Sequence, residues 1–389
     1  MKIAPFQLER YFAQYEFTAP YLLCCSDCEA LTKAELLAAA DAETRQLWEQ
    51  LGLGYTESSG HPLLRQEIAR LYPGLIEDDV LVCAPEEGIF IAMNVLLQPG
   101  DRVIVTFPGY QSLYEIASSL GCSVTRWLPR EGEGGWNFDV QDLESALQSP
   151  TRLLVINFPH NPTGALISAA QFTRILDLAR QHECCVFSDE MYRFLEYDPA
   201  QRLPAAASVY DRALSLAGLS KSFGLPGLRI GWLVTPDKDL LARLAAFKDY
   251  TTICSSAPSE ILAIMALRAR DKLWQRSLEI VHRNLDRLDR FFTTYARFFS
   301  WSRPTAGCIG FPRLLAGLKA ADFCADLLEQ RGVLLLPSNL YDYPAEYFRI
   351  GYGRRHMPQA LAQLEAYLKP HSPQNNRLKE SEYRNNGKM

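Results

Sequence analysis

A single lysine set between two apolar runs is the most reactive arrangement in this sequence. Residues 219–231 read Leu-Ser-Lys-Ser-Phe-Gly-Leu-Pro-Gly-Leu-Arg-Ile-Gly, with Lys221 near the start and Arg229 as the next cation. The flanking runs 213–219 and 228–234 read as buried strands, so the lysine lies at a strand end in the interior. Burial disfavours the ammonium and favours the neutral amine, the form that condenses with a carbonyl to give a Schiff base. Arg229 is then free to hold an anion such as a phosphate. The plainer alternative is a surface turn with two solvated charges.

Other residues of chemical interest also follow apolar runs. Asp189 closes the run 185–188 and is followed by Tyr192; a carboxylate there needs a cationic partner, because an unpaired buried charge is costly. Asn161 stands in the turn-forming stretch 157–164, whose prolines and glycine are explained by turn chemistry while the asparagine is not. His160 beside it reads as a packing neighbour. Tyr110 opens 108–114, and Ala-Pro-Glu-Glu-Gly at 84–88 opens a helix, whose free N–H groups favour an anion. Pro85 donates no N–H, so the donors there are the backbones of Glu86 and Glu87, with both acidic side chains turned away.

The elements that must position these residues alternate regularly. Strands are expected at 80–83, 102–107, 123–128, 153–158 and 185–188, and helices at 86–97, 111–120, 140–147 and 169–181. This alternation predicts an α/β fold, a mostly parallel sheet sandwiched by helices, with ligands outside the carboxyl ends of the strands. Before it, residues 5–28 show no sustained period and predict an extended arm; Thr32 and Glu35 form a capping box ahead of a helix over 36–51. Beyond residue 236 come helices at 240–247 and 274–299, strand-like runs at 308–314, 333–336 and 347–350, and helices at 320–330 and 359–368. That mixture predicts a smaller α+β domain. The boundaries are a 1–45 arm with part of the small domain, a 46–250 large domain, a 251–370 small domain, and a disordered tail at 371–389.

Ser220-Lys221-Ser222-Phe223-Gly224 and Gly227-Leu228-Arg229-Ile230-Gly231 together resemble the cofactor-lysine stretch of class I/II aminotransferases, pyridoxal-phosphate enzymes of fold type I. The resemblance runs from Tyr55 to Gly231 in the family's order. It implies that Tyr110 lies on the cofactor ring, that Asn161 and Tyr192 hydrogen-bond the phenolic oxygen, and that Asp189 pairs with the ring nitrogen. It further implies that Lys221 carries the Schiff base, while Glu86, Glu87, Ser220 and Arg229 surround the phosphate. Tyr55, with Gly60, Leu64 and Arg65, matches a segment that reaches a neighbouring subunit's phosphate, which implies a homodimer. Arg349 in Phe-Arg-Ile-Gly matches the arginine that clamps the substrate's α-carboxylate; Asn161 also touches substrate. One departure is Gly218, where many members carry a phosphate-binding hydroxyl. The expected activity is transfer of an amino group between an L-amino acid and a 2-oxo acid. The alternative is a lyase or cyclase acting at Cβ of a basic, arginine-like amino acid, suggested by the acidic residues of 22–29.

Composition narrows the classes further. The 389 residues have a net charge of −5, with 48% hydrophobic and 22% charged residues, which suits a soluble globular protein and gives no basic footprint for nucleic acid. No apolar stretch spans a bilayer and the N-terminus lacks a signal-peptide core, so a cytoplasmic, membrane-free enzyme is expected. Ten cysteines with adjacent pairs fit reduced thiols, and the lone Cys25-x-x-Cys28 spacing lacks the second pair that a zinc site wants. Gly132-Glu133-Gly134-Gly135 lacks the dinucleotide spacing and reads as a turn. A pyridoxal-phosphate sensor without turnover is disfavoured by the lack of a DNA-binding extension.

Overall fold

The computed structural model describes residues 2–132, 134–315, 317–344 and 346–369. The expected tail at 371–389 lies outside them. The central sheet has seven strands: β1 Val80–Cys83, β2 Arg102–Thr106, β3 Ser123–Trp127, β4 Leu153–Asn157, β5 Cys185–Asp189, β6 Ala213–Gly218 and β7 Gly231–Val234. Their order across the sheet is β1-β7-β6-β5-β4-β2-β3, and only β7 runs antiparallel to its neighbours.

Alternation along each strand assigns its side chains to two helical layers. Leu81, Cys83, Leu153, Val155, Leu214 and Leu216 face the helices Pro85–Leu96, Ser112–Ser119 and Lys238–Lys248. On the other face, Leu154, Ile156 and Val186 pack on Val140–Leu147 and Ala169–Gln181, while Val80, Val82 and Trp232 pack on Pro62–Ala69 and Ala257–Arg268. The mostly parallel, doubly covered sheet expected from the alternation is therefore present.

A second core gathers around three short antiparallel strands, Ile309–Gly310, Phe348–Gly351 and Leu336–Pro337. The 25-residue helix Arg270–Thr294 joins the two cores: Leu273 and Trp274 pack in the first, and Val281, Leu285, Leu288 and Phe292 in the second. It ends before residue 299, because Phe299–Ser300 instead pairs with Arg313–Leu314 as a strand.

Two expectations fail for local reasons. The helix expected over 36–51 is two helices, Lys33–Ala39 and Ala42–Glu49, because the Asp41 carboxylate accepts from Thr44 N at 2.8 Å and starts a new helix. The extended arm over 5–28 contains the helix Gln7–Tyr15. Leu8, Tyr11, Phe12 and Tyr15 follow helical spacing and pack with Leu336 and Tyr341. The Gly-rich turn at 132–135 joins a hairpin of Arg130–Gly132 and Gly135–Asn137, its residue 133 lying outside the described residues.

Candidate active site

A cavity of about 490 Å³ opens beyond the carboxyl ends of β4, β5 and β6, walled on its far side by the N-terminal segment and the small-domain strand. Lys221, three residues past β6, projects into it and donates from Nζ to Ser26 Oγ at 2.9 Å. Burial, the largest influence, together with nearby Arg349 pulls its pKa below that of an ordinary lysine, against the opposing pull of Asp27. The amine is thereby biased toward its nucleophilic form.

Asp189 ends β5 and is 6% exposed. Burial pushes its pKa up to about 6, although Met191 N donates to Oδ1 at 3.1 Å. A carboxylate so placed favours a cationic ring nitrogen as partner. Asn157, the polar end of a fully buried strand, orders the neighbouring turn: its Nδ2 donates to Asp189 O at 3.0 Å and its Oδ1 accepts from Asn161 N at 2.8 Å. Tyr192 is buried and donates to Ser26 O at 2.9 Å. His160 is a packing residue: its Nδ1 meets Thr163 Oγ1 at 2.7 Å, and burial drives its pKa down to about 3.

The helix Pro85–Leu96 begins at the cavity edge, and the first N–H groups of a helix have no internal acceptor. Its two acidic residues do not both turn away. Glu87 does, accepting from Ala84 N at 3.1 Å and from the Thr252 hydroxyl at 2.7 Å. Glu86 instead lines the cavity, accepts from Ser112 Oγ at 3.1 Å, and is pushed by burial up to about 7. It approaches the uncharged form, which removes the like-charge objection to a nearby anion. Ser220 Oγ has no partner among the described residues and is 6% exposed, an orphaned donor turned to the same space. Arg229 also lines the cavity, held in the left-handed region at φ 56°. Such strain in a non-glycine residue persists where surrounding structure imposes it. Gly218 leaves no room for a hydroxyl side chain: a Cβ there would lie 3.0 Å from Gly231 Cα and 3.1 Å from the Pro85 ring. Pro85 and Gly218 are thus one paired departure.

Arg349 is 1% exposed. Its Nε donates to Cys24 O at 3.0 Å and its Nη1 to Tyr341 OH at 2.6 Å, and that hydroxyl donates to Asn161 Oδ1 at 3.3 Å. Nη2 has no partner among the described residues, which suits an incoming carboxylate. The segment carrying Ser26 lies directly on backbone: a Cβ at Gly351 would fall 2.0 Å from Cys25 O, and one at Gly353 2.4 Å from Asp27 O. Asp27 in turn takes a bidentate pair from Arg354 Nη2, both at 2.9 Å.

Tyr110 lines the cavity, but its ring tilts at 51° against Phe6, and its hydroxyl donates to Glu9 Oε1 at 3.0 Å. Tyr55 is not brought to the cavity; it is 92% exposed and outside the lining. Glu87 is likewise outside the lining, and the other expected residues, Lys221, Asp189, Tyr192, Asn161, Glu86, Ser220, Arg229 and Arg349, converge there. Sequence reasoning missed Ser26, Tyr341, Arg354 and the helix carrying Glu9. Only the helical spacing at 8, 11, 12 and 15 could have signalled any of them. An aldehyde-bearing, phosphorylated, cationic-ring cofactor fits this set of orphaned Ser220 and Arg349 donors, buried Asp189 and biased Lys221 amine.

Among the described residues no helix is long and apolar enough to cross a membrane. The family model for aminotransferase class I and II matches residues 21–364. Capreomycidine synthase of Streptomyces vinaceus is 32% identical over 370 residues, 94% of each chain. A probable N-succinyldiaminopimelate aminotransferase of Mycobacterium tuberculosis is 32% identical over 274 residues, covering 69% of this chain and 68% of that one. Among solved structures, a PLP-dependent aminotransferase from Streptococcus suis superposes with a TM-score of 0.89 at 29% identity, over 96% of this chain and 99% of that one. The PLP-dependent cyclase OrfR superposes with 0.87 at 27%, with the same coverage. The chain belongs to the class I and II aminotransferase family; it is an enzyme, and its cofactor is pyridoxal 5′-phosphate.

Proposed function

We propose that the enzyme transfers an amino group between an L-amino acid and a 2-oxo acid, with Lys221 as the residue that holds the cofactor and moves the proton. The observation that supports this best is the joint placement in one cavity of a lysine biased toward its neutral form, a buried carboxylate at Asp189 and an unpartnered guanidinium nitrogen at Arg349. Bound there, pyridoxal 5′-phosphate supplies an aldehyde and an electron-poor ring that accepts the electron pair released at the substrate's Cα. Asp189 would keep the ring nitrogen protonated, Asn161 and Tyr192 would hydrogen-bond the phenolic oxygen, and Tyr110, a lining residue, would pack against the ring. Arg229, Ser220 and the amides of Glu86 and Glu87 hold the phosphate. Arg349 fixes the α-carboxylate, and Lys221 takes the proton from Cα, general-base work typically worth ~10² to 10⁴ in rate.

A second reading, a lyase or cyclase acting at Cβ of a basic amino acid, is favoured by the full-length likeness to capreomycidine synthase and to the cyclase OrfR. Both readings share every residue named above and differ in which substrate bond is aligned with the ring. The three-part division at residues 45 and 250, a homodimer in which Tyr55 serves the neighbouring subunit, and a cytoplasmic location belong to the same proposal.

The test is to mix the holoprotein with a panel of amino acids and follow the cofactor's visible band and the products. A 2-oxo acid with a pyridoxamine form of the cofactor supports transfer; ammonia or a ring product supports the second reading. No spectral response to any amino acid overturns both.

A further inference from the structure

We infer that Glu9 and Glu16 of the N-terminal segment receive the side chain of the substrate and select amino acids that carry a guanidinium or ammonium group. This rests on the reading of the cavity as an amino-acid site and adds the substrate class to it.

The helix Gln7–Tyr15 lies along the cavity, and Glu9, Phe12 and Glu16 all line it. Spacings of three and four place these residues one above another on one helical face. The Phe12 ring rests 5.7 Å from the Arg349 guanidinium. The two carboxylates therefore flank, about one turn away on either side, the ring that sits on the α-carboxylate clamp; a turn is about 5.4 Å long. An amino acid held at Arg349 has its side chain within reach of that face.

Charge balance points to a cation. Arg349, a buried cavity-lining residue whose Nη2 has no partner among the described residues, answers the α-carboxylate, and Arg229 answers the phosphate. Asp189 answers the ring nitrogen. Arg354 is taken by Asp27 in a bidentate pair. Glu29, the other acid expected to meet a basic substrate, accepts from Arg355 N at 2.8 Å and does not line the cavity, while Asp27 is already paired with Arg354. Glu9 accepts one hydrogen bond, from Tyr110, and a carboxylate has further acceptor positions. The Glu16 carboxylate has no hydrogen-bond or ion-pair partner among the described residues, and burial raises its pKa, with Arg354 and Lys221 opposing. Among the described residues these two half-buried carboxylates beside the clamp make no direct ion pair, with Lys221 and Arg354 acting on Glu16 and Lys221 on Glu9 only at longer range, and a positively charged substrate side chain would supply one.

The test compares L-arginine with L-citrulline, which has nearly the same shape and no charge, by calorimetric titration and by the shift of the cofactor's visible band in the holoprotein. Wild type is expected to bind arginine at least about tenfold more tightly, the scale of one charge-assisted hydrogen bond. E16Q and E9Q, and most of all the double variant, should bring that ratio toward one. A wild type that binds both equally overturns the inference without any variant, as do variants that fold normally and keep the full ratio. If no amino acid gives heat or a spectral shift, the amino-acid reading itself fails; binding without charge preference removes only this inference.

Discussion

The cavity has two walls built in different ways. One consists of strand ends and the turns after them: Asn161, Asp189, Ser220 and Lys221 end or follow consecutive neighbours in a seven-stranded sheet whose backbone fixes them. The other is assembled from Glu9 and Ser26 near one end of the chain and Arg349 and Arg354 more than 300 residues later, tied by hydrogen bonds and backbone contact. The sheet wall carries charges whose task is the bond-making step, and it tolerates burial because the sheet over-determines it. The assembled wall carries charges whose task is to hold a substrate. Damage to the first should stop the reaction, whereas damage to the second should change what is bound.

Lys221→Ala gives the largest effect on the sheet wall. Turnover should fall by roughly 10⁴-fold or vanish, because both the covalent anchor and the proton carrier are lost. The same variant should lose the borohydride-reducible chromophore; a variant that still carries a reducible covalent chromophore removes the basis of the proposed function. Asp189→Asn comes next, with kcat lower by about 10² to 10³-fold, the scale for removing one preorganised electrostatic group. A change confined to KM would place Asp189 on the wrong side of the comparison.

The same division decides how much was legible in advance. The β4, β5 and β6 ends could be read because an apolar run broken by one polar residue marks both the strand and its functional end. Lys221 and Asp189 were found in that way, and Asn161 as the residue that turn chemistry leaves unexplained after such a run. The assembled wall gave no such mark. Ser26 and Arg354 belong to stretches with no period, and their meaning comes from contacts across most of the chain. The helix Gln7–Tyr15 was missed although its apolar spacing was present, since nine residues among polar neighbours make a weak pattern. Asp41 was absorbed into one long helix because apolar period is blind to a cap that restarts it. Glu86 was assigned the wrong direction because repulsion between two full charges was assumed, and burial weakens one of them by raising the Glu86 pKa to about 7.

Gly351→Ala tests the assembled wall. The added methyl would stand 2.0 Å from Cys25 O, contact with rigid backbone that must move. The expected cost is about 1–3 kcal/mol of stability, read in denaturant unfolding, with KM for the amino acid raised more than kcat is lowered. Gly54→Ala, where nothing lies within 4 Å, serves as the matched control and should leave stability nearly unchanged. Equal effects from the two substitutions would show that the arm is not seated on that strand.

The smallest effect lies at Glu86, where the sheet wall itself contains a titrating group. Its folded pKa of about 7 exceeds the ordinary 4.5, so the native cofactor-free protein binds a proton that the unfolded chain releases. The contribution is then fully present below about pH 4.5 and is lost as pH rises through about 7, to a total of at most about 3 kcal/mol. Glu86→Gln keeps the shape and the contact with Ser112 but cannot ionise. The melting temperature of the cofactor-free variant should therefore overtake that of wild type between pH 5 and pH 8, and parallel curves would refute the buried, near-neutral carboxyl. Adding inorganic phosphate should widen the variant's lead at pH 8, because wild type must take up a proton to accept the anion and the amide need not. A carboxyl that answers phosphate in this way would give the sheet wall a pH-dependent grip on the cofactor and leave selectivity to the arm.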